Sequence, residues 1–155
     1  MTDDENLEST EAEARAVESR AEAFIGVREA RRSEVAEDYV ELIAELIHEN
    51  GEARPGDLAA RMGVTAPTVA KTLGRLARDG LITRAKYRSV FLTEEGRALA
   101  KECRHRHEIV LRFLLSLGLD PEAVGVGHVG VFAEGIEHHV SERTLALFAA
   151  FSQRS

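Results

Sequence analysis

The stretch Glu134-Gly-Ile-Glu137-His138-His139 is the part of the chain best furnished for chemistry. On a helix of about 3.6 residues per turn, positions 134, 137 and 138 fall within an arc of about 100°. Two carboxylates and an imidazole on one face are ligands for a hard or borderline divalent cation. Against this stands an ordinary reading, because Glu and His are common on solvated helix faces, and His139 points elsewhere on the wheel. Two further places add to the constellation. His107 interrupts an apolar stripe formed by Cys103, Val110, Leu111 and Leu114, where a lone histidine is ordinarily a hydrogen-bonded core residue. Asp38 and Glu41, three apart, flank the apolar arc Val35, Tyr39, Leu42, Ile43, Leu46, Ile47, where a solvated helix edge is the ordinary reading. Cys103, four residues before His107, could offer a thiolate to zinc, but a single cysteine packs more readily as a small apolar group.

A second chemistry lies in the middle of the chain. The run from Thr65 to Asp79 reads as a helix with Val69, Leu73 and Leu76 inward and Pro67, Thr68, Lys71, Arg75 and Arg78 outward. Short polar groups near the N-terminus and cations beyond suit entry into a DNA major groove. Thr68 is placed for base edges, and Lys71 and Arg75 for phosphate or guanine. Arg84, Lys86 and Arg88 lie on the hairpin that follows and would reach the flanking backbone. The competing reading is a solvated basic face on a domain that contacts protein.

The elements around these residues follow from their punctuation. A helix from Val35 ends near Glu49 at Asn50-Gly51, and a short helix spans Arg54 to Met62 with Pro55 in its first turn. Gly63-Val64 makes a turn, Thr65 caps the third helix, and Gly80 stops it. Leu81–Arg84 and Tyr87–Leu92 make a hairpin, and Thr93 starts a helix that runs to about Leu117. The Gly- and Val-rich stretch from Pro121 to Phe132 is irregular. Short helices over Glu134–Val140 and Ser141–Gln153 follow, the second burying Leu145, Leu147, Phe148 and Phe151. Helix, short helix, turn, helix and hairpin make a winged helix-turn-helix. The expected fold is therefore mostly α, with the winged domain over 34–96 and an all-helical domain over 97–155, preceded by a flexible acidic extension, 1–33, too poor in apolar anchors to fold alone.

Composition and charge narrow the function. With 44% apolar and 30% charged residues, the chain is expected to be globular and soluble; no apolar run reaches the roughly 20 residues of a bilayer span, and the acidic start excludes a secretory signal. One cysteine fits a reducing cytoplasm, and the lack of tryptophan argues against stacking platforms for single strands. The net charge of −7 conceals its distribution. Residues 1–50 carry 5 basic and 15 acidic side chains, 51–106 carry 12 and 6, and 107–155 carry 3 and 6. A basic middle between acidic ends is the footprint of a DNA-contacting module joined to something else.

From about Ser33 to Gln153 the chain resembles the diphtheria-toxin-repressor family of metal-dependent transcriptional regulators, and most closely its manganese branch. Four stretches carry the likeness: Asp38-Tyr-Val-Glu41-Leu-Ile, Val64-Thr-Ala-Pro-Thr-Val-Ala-Lys-Thr-Leu, Arg106-His107-Glu108-Ile-Val-Leu-Arg-Phe-Leu, and Glu134-Gly-Ile-Glu-His-His-Val-Ser. Phe132 stands where the family usually has an aspartate. The resemblance implies a metal-binding and dimerisation role for the helical half. It also implies a two-manganese site in each subunit, held by Asp38, Glu41, His107, Glu134, Glu137 and His138. Carboxylates at 38 and 134, where the iron-type relatives place sulfur, favour a harder cation such as Mn(II). The function implied is a cytoplasmic homodimer that binds an inverted-repeat DNA operator and represses manganese uptake when manganese is bound, with no membrane and no organic cofactor. Two alternatives stand beside it: a metal-independent winged-helix regulator sensing a small organic ligand, and a carboxylate-bridged di-metal enzyme. The latter would need four long ligand-bearing helices with paired Glu-x-x-His motifs, which this chain lacks.

Overall fold

The computed structural model describes residues 3–84, 89–120 and 135–153, without the side chains of 3–14 and 16–18. It divides into two units, residues 1–35 and 36–155. The first helix, α1, runs from Asp3 to Asn50 and so begins 32 residues before the start expected at Val35. Residues 3–34 contain no proline and are dominated by Glu, Ala and Arg, strong helix formers that extend a helix once it is nucleated. Within the first unit the side chains of 19–33 are exposed, Phe24 at 67%.

In the second unit α1 turns one apolar face inward through Tyr39, Val40, Ile43 and Leu46, each at most 3% exposed. Helix α2 (Pro55–Met62) adds Leu58, and helix α3 (Ala66–Arg78) adds Val69, Leu73 and Leu76. Between them Gly63 takes φ 64°, a left-handed turn that a side chain would strain. Strands β1 (Ile82–Arg84) and β2 (Val90–Leu92) pair antiparallel with Ile82 opposite Leu92 and Arg84 opposite Val90. Ala53 bridges to Val90, so the segment between α1 and α2 extends the wing's inner edge. Ile82, Val90 and Leu92 close the same core, onto which the start of helix α4 (Glu94–Ser116) places Ala100. Burying each such aliphatic side chain contributes about 1.5–3 kcal/mol.

Thr93 fixes where α4 begins. Its hydroxyl accepts from Gly96 N at 3.0 Å and donates to Gly80 O at 2.6 Å. Gly96 has no alternative here, since a Cβ would stand 2.0 Å from Leu81 O.

The far half of α4 builds a second core, Val110 and Leu114 against Leu145 of the last helix, α5 (Glu142–Ser152). Phe113 stacks on Phe148 with ring centroids 3.9 Å apart, and Phe151 meets Phe113 edge-on at 5.7 Å. The expectation that α5 buries all four of its large apolar residues is corrected. Leu145 is buried and Phe148 half-buried, but Leu147 is 64% and Phe151 47% exposed. Among the described residues the helix packs mainly on α4, which covers Leu145 and Phe148 and meets Phe151 at one edge while leaving Leu147 largely exposed. The helix expected to reach Val140 ends earlier, at Glu137, with a turn at 138–139.

Candidate metal centre and nucleic-acid interface

A polar seam separates the two apolar cores, where α1, the middle of α4 and residues 137–138 meet. Glu137 is the one buried charged side chain among the described residues, 2% exposed. Its Oε2 lies 2.6 Å from His107 Nδ1, which ties residue 137 to α4. His138 faces α1: Nε2 is 3.2 Å from Asp38 Oδ1 and 3.9 Å from Glu137 Oε1, and Nδ1 is 2.8 Å from Glu37 Oε2. Four residues singled out in the sequence, Asp38, His107 and the adjacent pair Glu137 and His138, therefore meet although they come from three stretches 30 or more positions apart. Glu41 lines a pocket of about 540 Å³ together with Asp38 and His107, so it opens onto the same space. Glu134 lies outside the described residues.

Glu37 and Arg106 were not anticipated. Arg106 Nη1 is 3.7 Å from Glu37 Oε2, and Nη2 donates to the main-chain carbonyl of Glu137. A signal existed: Glu37 is four residues before Glu41 and so shares its helix face, and Arg106 precedes His107. Neither stands out from an ordinary charged helix until the three elements are brought together.

The electrostatics favour positive charge. Hydrogen bonding to Asp38 first, then to Glu37, lifts the His138 imidazole to a pKa of about 10 against the opposing pull of burial. Burial, reinforced by Glu37, Glu41 and Glu137, pushes the Cys103 thiol up to about 12. Four carboxylates, Glu37, Asp38, Glu41 and Glu137, share this region with one guanidinium, Arg106, and the imidazoles of His107 and His138. A surplus of carboxylates beside imidazoles fits divalent cations in both charge and donor type. No three such donors among the described residues already stand as a metal-holding group; the side chains are engaged with one another.

The basic face of α3 is equally open to inspection. Pro67, Thr68 and Lys71 are exposed and Arg75 is half-buried, while Val69, Leu73 and Leu76 are buried as the wheel required. Thr65 holds the N-cap position, but its hydroxyl pairs with Thr68 Oγ1 at 2.9 Å instead of capping the backbone. Arg84 Nη2 donates to Ala70 O at 3.2 Å, which couples β1 of the wing to α3. Lys86 and Arg88 lie outside the described residues.

Comparison with known proteins bears directly on these two regions. Residues 32–90 match the model of the iron dependent repressor N-terminal DNA binding domain, and residues 93–154 match its metal binding and dimerisation domain. The chain belongs to the iron-dependent repressor family, that of the diphtheria toxin repressor. It is a metal-responsive DNA-binding repressor with a dimerisation domain and a divalent-metal site. The transcriptional regulator MntR of Escherichia coli is 56% identical over 138 residues, which cover 89% of this chain and 86% of that one. The HTH-type transcriptional regulator MntR of Bacillus subtilis is 38% identical over 105 residues, 68% of this chain and 70% of that one. Among solved structures, a manganese-dependent transcriptional repressor in complex with manganese superposes with a TM-score of 0.64 at 30% identity, over 77% of this chain and 53% of that one. The repressor thus spans about half the length of that solved structure. No helix among its described residues is long and apolar enough to cross a membrane.

Proposed function

We propose that the repressor responds to manganese, and that as a cytoplasmic homodimer it binds an inverted-repeat operator and silences manganese-uptake genes when the ion is abundant. In this reading Asp38, Glu41, His107, Glu134, Glu137 and His138 are the ligands, and each subunit takes two Mn(II). Pro67, Thr68, Lys71, Arg75, Arg84, Lys86 and Arg88 meet the DNA. The chain divides functionally into an acidic extension, 1–33, a winged domain, 34–96, and a metal and dimerisation domain, 97–155.

The observation that carries the reading is the contact of His138 with Asp38, joined through Glu137 to His107. It links α1, the first helix of the winged core, to the two elements that carry the remaining candidate donors. A bound divalent cation would supply the positive charge that the excess of carboxylates lacks. The donors are carboxylates and imidazoles, which suits manganese, and the names of the relatives support that choice. Without such charge, Asp38 and Glu41 repel Glu137 across the seam, and the winged domain samples several orientations relative to the helical half. Holding one orientation sets the two α3 helices of a dimer about 34 Å apart, one turn of DNA. Shifting the competent fraction from about 1% to 99% requires roughly 5.5 kcal/mol of differential binding.

Equilibrium dialysis with Mn(II), followed by a DNA mobility-shift assay with and without the ion, tests the reading. Uptake of two Mn(II) per subunit and a shift that disappears with chelator are expected. Equal DNA binding in both conditions would replace it with a metal-independent regulator.

A further inference from the structure

Glu37 and Arg106 stand outside the proposed ligand set, yet both are joined to it. An imidazole has two nitrogens, and in His138 they are used differently. Glu37 Oε2 takes Nδ1 at 2.8 Å, which leaves Nε2 facing Asp38 and Glu137. Arg106 holds the same Glu37 oxygen through Nη1 and the carbonyl of Glu137, the residue before His138, through Nη2. A carboxylate on the remote nitrogen of a histidine fixes its tautomer and ring plane and makes the other nitrogen a better ligand. The trio is largely shielded, with side-chain exposures of 9% for His138, 13% for Glu37 and 16% for Arg106. As a device for stability alone it is poor. Shielded ion pairs add little net stability, and Arg106 Nε is buried with no partner among the described residues. As a device for orientation every contact has a use.

We propose that Glu37, held in turn by Arg106, is a positioning residue for the metal centre, setting His138 so that Nε2 and not Nδ1 meets the ion. The inference rests on the metal-site reading above. Its test uses the full chain with Zn(II), which is diamagnetic, for nitrogen-15 spectra of His138, and Mn(II) for affinity. In the zinc-loaded wild type, Nδ1 keeps its proton and Nε2 bears the metal shift; metal on Nδ1 overturns the proposal, and no variant is needed to learn this. Glu37→Ala should weaken Mn(II) binding by about 10- to 100-fold in a chain that still folds and dimerises. Glu37→Gln, whose amide oxygen still accepts from Nδ1–H, should recover most of that affinity. A Gln variant as weak as Ala, or an Ala variant as tight as wild type, overturns the proposal. A wild type that takes up neither ion instead removes the metal-site reading beneath it, so the two failures are distinct.

Discussion

The apolar core around Ile43 and the polar seam around His138 share α1 and hold the molecule in opposite ways. Tyr39, Val40, Ile43 and Leu46 on one face are buried against α2, α3, the wing and α4. Glu37, Asp38 and Glu41 on the other approach His138, Arg106 and His107. The first contact is favourable whenever water is present, because it depends only on removing apolar area. The second is conditional, because carboxylates brought together need positive charge supplied from elsewhere. Adjacent residues on one helix can therefore build a domain that folds unconditionally and a junction that waits for a signal.

Mutations at the core should act regardless of metal. Leu73→Ala empties a fully buried site and is expected to lower unfolding free energy by about 2–5 kcal/mol, read by urea denaturation. Gly96→Ala pushes a methyl group into Leu81 O and should destabilise by about 3 kcal/mol. In both variants, the loss should be the same with Mn(II) or chelator; a loss seen only with metal would erase the distinction between the two regions.

The seam should show the reverse pattern. Mn(II) at about 100 times its dissociation constant should stabilise the wild type by about 2.7 kcal/mol per site. Glu137→Ala should remove most of this gain, and differential scanning calorimetry with and without Mn(II) measures it. A wild type with no metal-dependent shift would mean that the seam is a second structural core.

The smallest effect belongs to the exposed face of α3, which neither region needs for folding. Lys71→Ala should leave melting and Mn(II) uptake unchanged but weaken DNA binding. Loss of one phosphate contact should lower the slope of log affinity against log salt by about one unit. An unchanged slope would assign Lys71 to solvent.

What could be read from the sequence follows the same division. Elements α2 and α3 were legible because Pro55, Gly63 and Gly80 punctuate them and because Leu58, Val69, Leu73 and Leu76 keep helical spacing. The convergence of Asp38, His107, Glu137 and His138 was legible from residue types once the family resemblance linked stretches far apart in sequence. Glu37 and Arg106 were not, since a charge on a helix acquires meaning only from the element packed against it. The same limit explains Leu147 and Phe151: an apolar wheel position says a neighbour is wanted without saying whether this chain provides it. The length of α1 was missed for another reason. Helix propensity summed over residues 3–34 favours a helix, and the helix continues through 19–33, where the side chains are exposed.

The central claim, that seam charge governs DNA affinity, is tested most directly by operator titrations of wild type, Glu41→Ala and Glu137→Ala, each with Mn(II) and with chelator. The account predicts a wild type that binds tightly only with Mn(II), and two variants that remain folded dimers yet bind weakly in both conditions. Variants that bind operator as tightly as wild type, with or without chelator, would contradict it.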